Sequence, residues 1–221
     1  MLAISGAARE PREMSVEARS PRTQAERRET TRNKLLDAAV ECLLETGYSN
    51  TSVVQIQQRS GVSRGALQHY WPSKPALVVA AVDRLIDEAS EALVSRVDQR
   101  LGPAERIGVG VDELWVVLQS PLSLISLELA GISHTDPELR AVLLPREDRL
   151  RDGIRLLCQR VFGDDLATHP RFATLCEVLI HSMQGAALTA DLDPRGKGGS
   201  PLVEEWKAIL RDGLEVGTRR R

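Results

Sequence analysis

Apolar side chains recur along most of the chain at three- and four-residue intervals, the spacing of one face of an α-helix, and no stretch alternates at every second residue as a half-buried strand would. The pattern predicts an all-α protein. It starts at Thr23, because residues 1–22 are rich in Arg, Glu, Ser, Pro and Ala without periodicity and read as a flexible arm. Thr23 and Glu26 have the spacing of a capping box, which satisfies free backbone donors at a helix start. Leu35, Ala39, Cys42 and Leu43 carry that helix to Gly47, a C-terminal stop. Thr51 is expected to cap a short helix with Val54 and Ile56 turned inward, Ser60-Gly61-Val62 to make a tight turn, and Ser63 to cap a second short helix ending near Trp71.

Ser73 caps the next element, and Pro75 sits in its first turn, where a missing N–H costs nothing. Leu77, Ala81, Leu85, Ala89, Leu93 and Val97 then repeat every four residues, predicting a connecting helix of roughly 40 Å at ~1.5 Å per residue. Beyond Gly102-Pro103, helical periods cover 107–119, 121–132, 137–162 (kinked or split at Pro145), 170–190 and 201–216. The expected organisation is an arm (1–22), a three-helix unit (23–75) and a helical domain (76–221).

With 42% hydrophobic and 27% charged residues, the 221-residue chain is neither largely disordered nor collagen-like. Its net charge of -2 hides an asymmetry: residues 1–75 hold 11 basic against 8 acidic side chains, and residues 76–221 hold 18 against 23. A nucleic-acid partner is therefore admissible for the first third. The longest uncharged run, Leu114 to Leu127, is 14 residues, below the ~20 a bilayer requires, so no membrane partner is expected. Arg9, Glu10, Arg12 and Glu13 do not resemble a secretory signal, and a cytoplasmic location is the expectation. Cys42, Cys158 and Cys176 read as buried free thiols. His134, His169 and His181 are isolated and Glu128 is a lone carboxylate among apolar residues, so neither an enzyme nor a cofactor is expected.

The segment from Thr51 to Lys74 carries the function. Two short helices joined by a glycine turn and packed on a longer one form a helix-turn-helix. Val62, Leu67 and Trp71 fall on the packing side of the second helix and leave Arg64, Gly65, Gln68 and His69 outward. That face suits a major groove: Arg64 can donate to phosphate or to guanine, Gln68 can pair with adenine, and Gly65 allows close approach. Thr51, Ser52 and Ser63 place helix starts and hydroxyls where phosphates lie, and Tyr70 and Lys74 follow as phosphate contacts. The plainer alternatives are surface polarity for Gln68 and His69, a core plug for Trp71, and an unbound tail for Arg9, Arg12, Arg19 and Arg22.

Thr51-Ser-Val-Val-Gln-Ile56 and Ser60-Gly-Val-Ser-Arg-Gly-Ala-Leu-Gln-His-Tyr-Trp-Pro-Ser-Lys74 resemble the TetR family of bacterial transcriptional regulators, over about residues 30–85. The resemblance implies an N-terminal DNA-binding domain, a divergent helical domain that dimerises and binds small ligands, and repression relieved by the ligand. It matches Thr51 and Ser63 to cap and phosphate contacts, Arg64, Gly65, Gln68 and His69 to the recognition helix, and Tyr70 and Lys74 to backbone contacts. Gln68, Tyr70 and Trp71 stand where the family often has Tyr, His and Phe, and Gln57 and Arg59 where Ala is frequent, which bears on the base sequence read.

In the second domain, Phe172, Leu175, Cys176, Leu179 and Met183 form an apolar stripe beside the small residues Ser182, Gly185, Ala186 and Thr189, and Leu202, Trp206, Ile209 and Gly213 repeat the theme. A mid-helix glycine costs ~1 kcal/mol, so close approach of another helix is expected. These positions predict a four-helix homodimer interface, with packing inside one subunit as the alternative. Trp115, Leu118, Leu122, Ser126, Leu129, His134 and Met183 are candidates to line a pocket for an unidentified small-molecule effector of apolar or weakly polar character, with plain core as the alternative. With the resemblance, they suggest a repressor that binds a palindromic double-stranded DNA operator as a homodimer and is released by a small molecule. A DNA-binding activator or architectural protein without a metabolite is the other reading.

Overall fold

Thr23 Oγ1 accepts from the Glu26 N–H while the Glu26 carboxylate accepts from the Thr23 N–H, so the predicted capping box forms. It opens α1 (Gln24–Asn50), which breaks at Gly47, where φ 72° and ψ 173° take the backbone out of helical space. The computed structural model describes residues 23–190 and 202–216, so the arm and the 193–200 loop lie outside the described residues. The described residues are all-α: α1 is followed by α2 (Val53–Ser60), α3 (Arg64–Tyr70), α4 (Lys74–Arg96), α5 (Pro103–Leu118), α6 (Pro121–Ile132), α7 (Pro137–Leu143), a 3-10 turn (Leu144–Arg146), α8 (Glu147–Phe162), α9 (Asp164–Ala167), α10 (Phe172–Thr189) and α11 (Leu202–Gly213).

Three sequence expectations change here: Val54, expected to turn inward, is 59% exposed, and two helix boundaries move. Ser52, not Thr51, caps α2, its Oγ accepting from the Gln55 N–H while the Gln55 side chain returns to the Ser52 N–H. The connecting helix ends at Arg96, with Val97 already outside it, and its 23 residues span about 35 Å, short of the roughly 40 Å expected. Pro145 divides the predicted 137–162 helix, since its ring cannot continue the hydrogen-bond ladder.

Three apolar clusters hold the helices together. Leu35, Leu36, Ala39, Ile56, Leu67, Trp71, Leu77 and Ala81 join α1 to α4. Leu43, Tyr48, Val78, Val79, Val82, Ile125, Leu129 and Leu139 join α1 and α4 to α6 and α7. The third, around Leu93, Ile107, Leu114, Phe162, Met183 and Leu210, joins α4 to α5, α8, α10 and α11. α4 contributes to all three, with Leu77, Val78 and Leu93 fully buried along its length. Cys42, Cys158 and Cys176 are buried free thiols. No single helix among the described residues is long and apolar enough to cross a membrane.

Candidate nucleic-acid interface

The turn between α2 and α3 needs a glycine: Gly61 has φ 66°, a left-handed conformation that costs side-chain-bearing residues, and its N–H caps the Gln57 carbonyl. Ser63 Oγ then accepts from the Ala66 N–H and starts α3. Ile56, Leu67 and Trp71 are buried against α1 and α4, which fixes how α3 faces outward. Tyr70 is half-buried and its hydroxyl donates to the Arg28 carbonyl at 3.2 Å, tying the end of α3 to α1.

Arg64, Gly65, Gln68 and His69 are exposed on the outer side of α3. The side chains of Arg64 and Gln68 make no hydrogen bond or ion pair among the described residues, which leaves their donors available to an outside partner. A Cβ on Gly65 would meet nothing within 4 Å, so its missing side chain serves no packing inside the protein. Arg59, on α2, is by contrast engaged by Glu45 and Glu41.

Two predicted phosphate contacts turn inward. Thr51 is buried and its hydroxyl donates to the Gly47 carbonyl at 2.7 Å, bracing the break after α1. Lys74 Nζ donates to the Tyr48 carbonyl at 2.6 Å and lies 4.0 Å from the centre of the Tyr48 ring. Burial lowers the Lys74 pKa, while Asp136 and Glu128 oppose that shift. Tyr48 thereby becomes a polar node: its N–H donates to Glu128 and its hydroxyl to Asp136, the cap of α7. Glu128 looked isolated in the sequence because its partner is 80 residues away.

The candidate effector residues do not converge. Leu118 and Met183 are packed in one cluster and Leu129 in another. Leu122 is half-buried beside the latter, and the Ser126 hydroxyl donates to the Leu122 carbonyl. The Trp115 ring packs 5.1 Å from that of Trp206, and His134 is exposed. Packing, not a pocket, accounts for Leu118, Leu129 and Met183.

The candidate dimer residues divide by burial. Leu175, Leu179, Trp206 and Gly213 are buried within the protomer and drop out of any surface. A Cβ on Gly213 would lie 2.7 Å from Leu175 Cδ1, so that glycine serves contact between α10 and α11. Trp206 Nε1 donates to Ser182 Oγ at 2.9 Å. Ser182, Gly185, Thr189, Leu202 and Ile209 are exposed and Ala186 is half-buried. The sequence reading missed Val178 and Leu188 on this face, 54% and 61% exposed; they lie just outside the stripe taken as apolar.

Known proteins share this arrangement. The family model described as bacterial regulatory proteins, tetR family, matches residues 35–81. The chain is 33% identical over 192 residues to the HTH-type transcriptional regulator BetI of Brucella suis, covering 82% of this chain and 92% of that one. It is 33% identical over 119 residues to the HTH-type transcriptional regulator CymR of Pseudomonas putida, covering 54% of this chain and 59% of that relative. The structure of a TetR-family transcriptional regulator from Pectobacterium atrosepticum superposes with a TM-score of 0.63 at 25% identity, covering 90% of this chain and all of that one. With a helix-turn-helix held by α1 and α4 and a helical remainder, this chain belongs to the TetR family of bacterial transcriptional regulators, which bind DNA and are not enzymes.

Proposed function

We propose that this chain is a ligand-responsive repressor that binds a palindromic operator as a homodimer in the cytoplasm. The observation that carries the reading is the outer side of α3, where the Arg64 and Gln68 side chains stand exposed with no partner among the described residues. Ser52 and Ser63 accept backbone N–H groups and keep their hydroxyl hydrogens for phosphate, and His69 lies beside Gln68. Residues 23–75 are the DNA-binding unit and residues 76–221 the effector and dimer domain. Thr51 and Lys74 act indirectly, by holding the break after α1 and the start of α4.

Dimerisation is supported by the exposed apolar positions Val178, Leu188, Leu202 and Ile209 on α10 and α11. Among the described residues no other segment comes within 4 Å of a Cβ on Gly185, which is consistent with close approach of a second copy. Two recognition helices separated by about one DNA turn, or a multiple, read an inverted repeat.

Selection of bound duplexes from random-sequence DNA should return an inverted repeat. Replacing both Arg64 and Gln68 by Ala should abolish preference for it while the fold is kept. An unaltered preference would refute the assignment of α3, and a monomer in sedimentation at micromolar concentration would refute the homodimer.

A further inference from the structure

Between α4 and α8 runs an open groove of about 410 Å³, within the ~300–1,000 Å³ typical of small-molecule sites. Its floor is apolar, formed by Ile86, Ile154 and Leu157, and Leu150 stands at its edge, 48% exposed. Its walls carry opposite charges, Asp83, Asp87 and Glu91 from α4 against Arg146, Arg149 and Arg160 from the α8 side. One end is closed by Arg160, which donates to both Glu91 carboxylate oxygens at 2.5 and 2.7 Å.

The other end is incompletely paired. Arg146 Nη2 lies 3.3 Å from Asp83 Oδ2, while Arg146 Nη1 is buried with no hydrogen-bond partner among the described residues. Buried donors are rarely left unpaired, and a guanidinium fork fits a carboxylate with two parallel bonds. Arg149 stands exposed at the same end, with no ion pair among the described residues.

We infer that this groove takes an amphipathic carboxylate, its head held by Arg146 and Arg149 and its hydrocarbon part laid over Ile86, Leu150, Ile154 and Leu157. The inference rests on the ligand-responsive reading and adds the place and chemical class of the effector. It also supplies a route for the signal. A carboxylate that takes Arg146 displaces Asp83, and Asp83 belongs to α4, the helix separated from α3 by three residues. Binding thereby removes the link from α8 to α4 at one end of the groove. Asp87, one turn from Asp83 on the acidic wall, makes an amphipathic cation the competing occupant.

Calorimetry on the full chain with octanoate, octylammonium and octan-1-ol separates these occupants. Octanoate is expected to bind about tenfold tighter than either of the others, a gap of ~1.4 kcal/mol. Arg149→Ala, at an exposed position, should weaken octanoate by a similar factor without disturbing the fold. Asp83→Asn should strengthen it, because Arg146 then loses its charged competitor. Preference for octylammonium, or octanoate binding indifferent to Arg149→Ala, overturns the inference. DNA binding sensitive to Arg64→Ala, measured on the same preparation, distinguishes the outcomes: its persistence while octanoate fails sinks the groove alone, and its absence in the wild-type chain sinks the regulator reading.

Discussion

Glu128 Oε1 accepts a hydrogen bond from the backbone N–H of Tyr48 at 3.1 Å, joining α6 to the break that ends the long part of α1. Removing the acceptor leaves a part-buried N–H unsatisfied, a cost of ~1–3 kcal/mol. Glu128→Ala should therefore lower the free energy of urea unfolding by about that amount, and Glu128→Gln, which keeps a side-chain oxygen, by less. Equal losses in the two variants would assign the effect to packing.

Burial, reinforced by Asp136, pushes the Tyr48 hydroxyl up to about 12 from its ordinary value of 10.0. A folded-state pKa raised in this way contributes stability that is intact below pH 10 and lost as the pH climbs through about 12. The chain has 2 tyrosines, so Tyr70→Phe isolates Tyr48. Absorbance titration of that variant should give a midpoint near 12 in the folded protein and near 10 in denaturant.

Gly213 and Gly185 should respond oppositely to alanine. At Gly213 the new methyl meets Leu175 Cδ1 at 2.7 Å, and overpacking of this kind costs ~1–3 kcal/mol. At Gly185 no other segment among the described residues lies within 4 Å of the new methyl and φ is ordinary, so the protomer gains up to ~1 kcal/mol of helix propensity. Denaturant midpoints read the first effect. If α10 pairs with a second copy, sedimentation should show Gly185→Ala weakening association even as the protomer becomes more stable.

Trp71 and Arg64 separate folding from recognition. Trp71 is 8% exposed among α1, α3 and α4 residues, and replacing it by Ala should cost ~3–5 kcal/mol. Arg64→Ala, on the exposed side of α3, should shift stability by no more than ~0.5 kcal/mol. A thermal melt of Arg64→Ala that falls as far as that of Trp71→Ala would contradict the orientation of α3.

Local features can be read from residue spacing alone: helical period, the caps at Thr23, Ser63 and Ser73, the glycine turn at Gly61, the division at Pro145, and the outward face of α3. Those features depend on residues within about a turn or two of one another, so spacing alone reveals them. The cap at α2 was misplaced by one residue because Thr51 and Ser52 are both capping types. Ser52 Oγ meets the Gln55 N–H, whereas the Thr51 hydroxyl points back to the Gly47 carbonyl.

Tertiary structure decided everything that depends on distant segments meeting. It turned Lys74 from solvent to Tyr48 and gave Glu128 a partner across 80 residues. It assigned Gly213 to the protomer's own packing while leaving Gly185 open, although both are helix glycines in sequence. It scattered the candidate effector residues among separate clusters and set Arg146 against Asp83 beside a groove that no spacing announces. The physical reason is that a helical period specifies which face is apolar but not which partner buries it. That choice follows from how several such faces fit together at once.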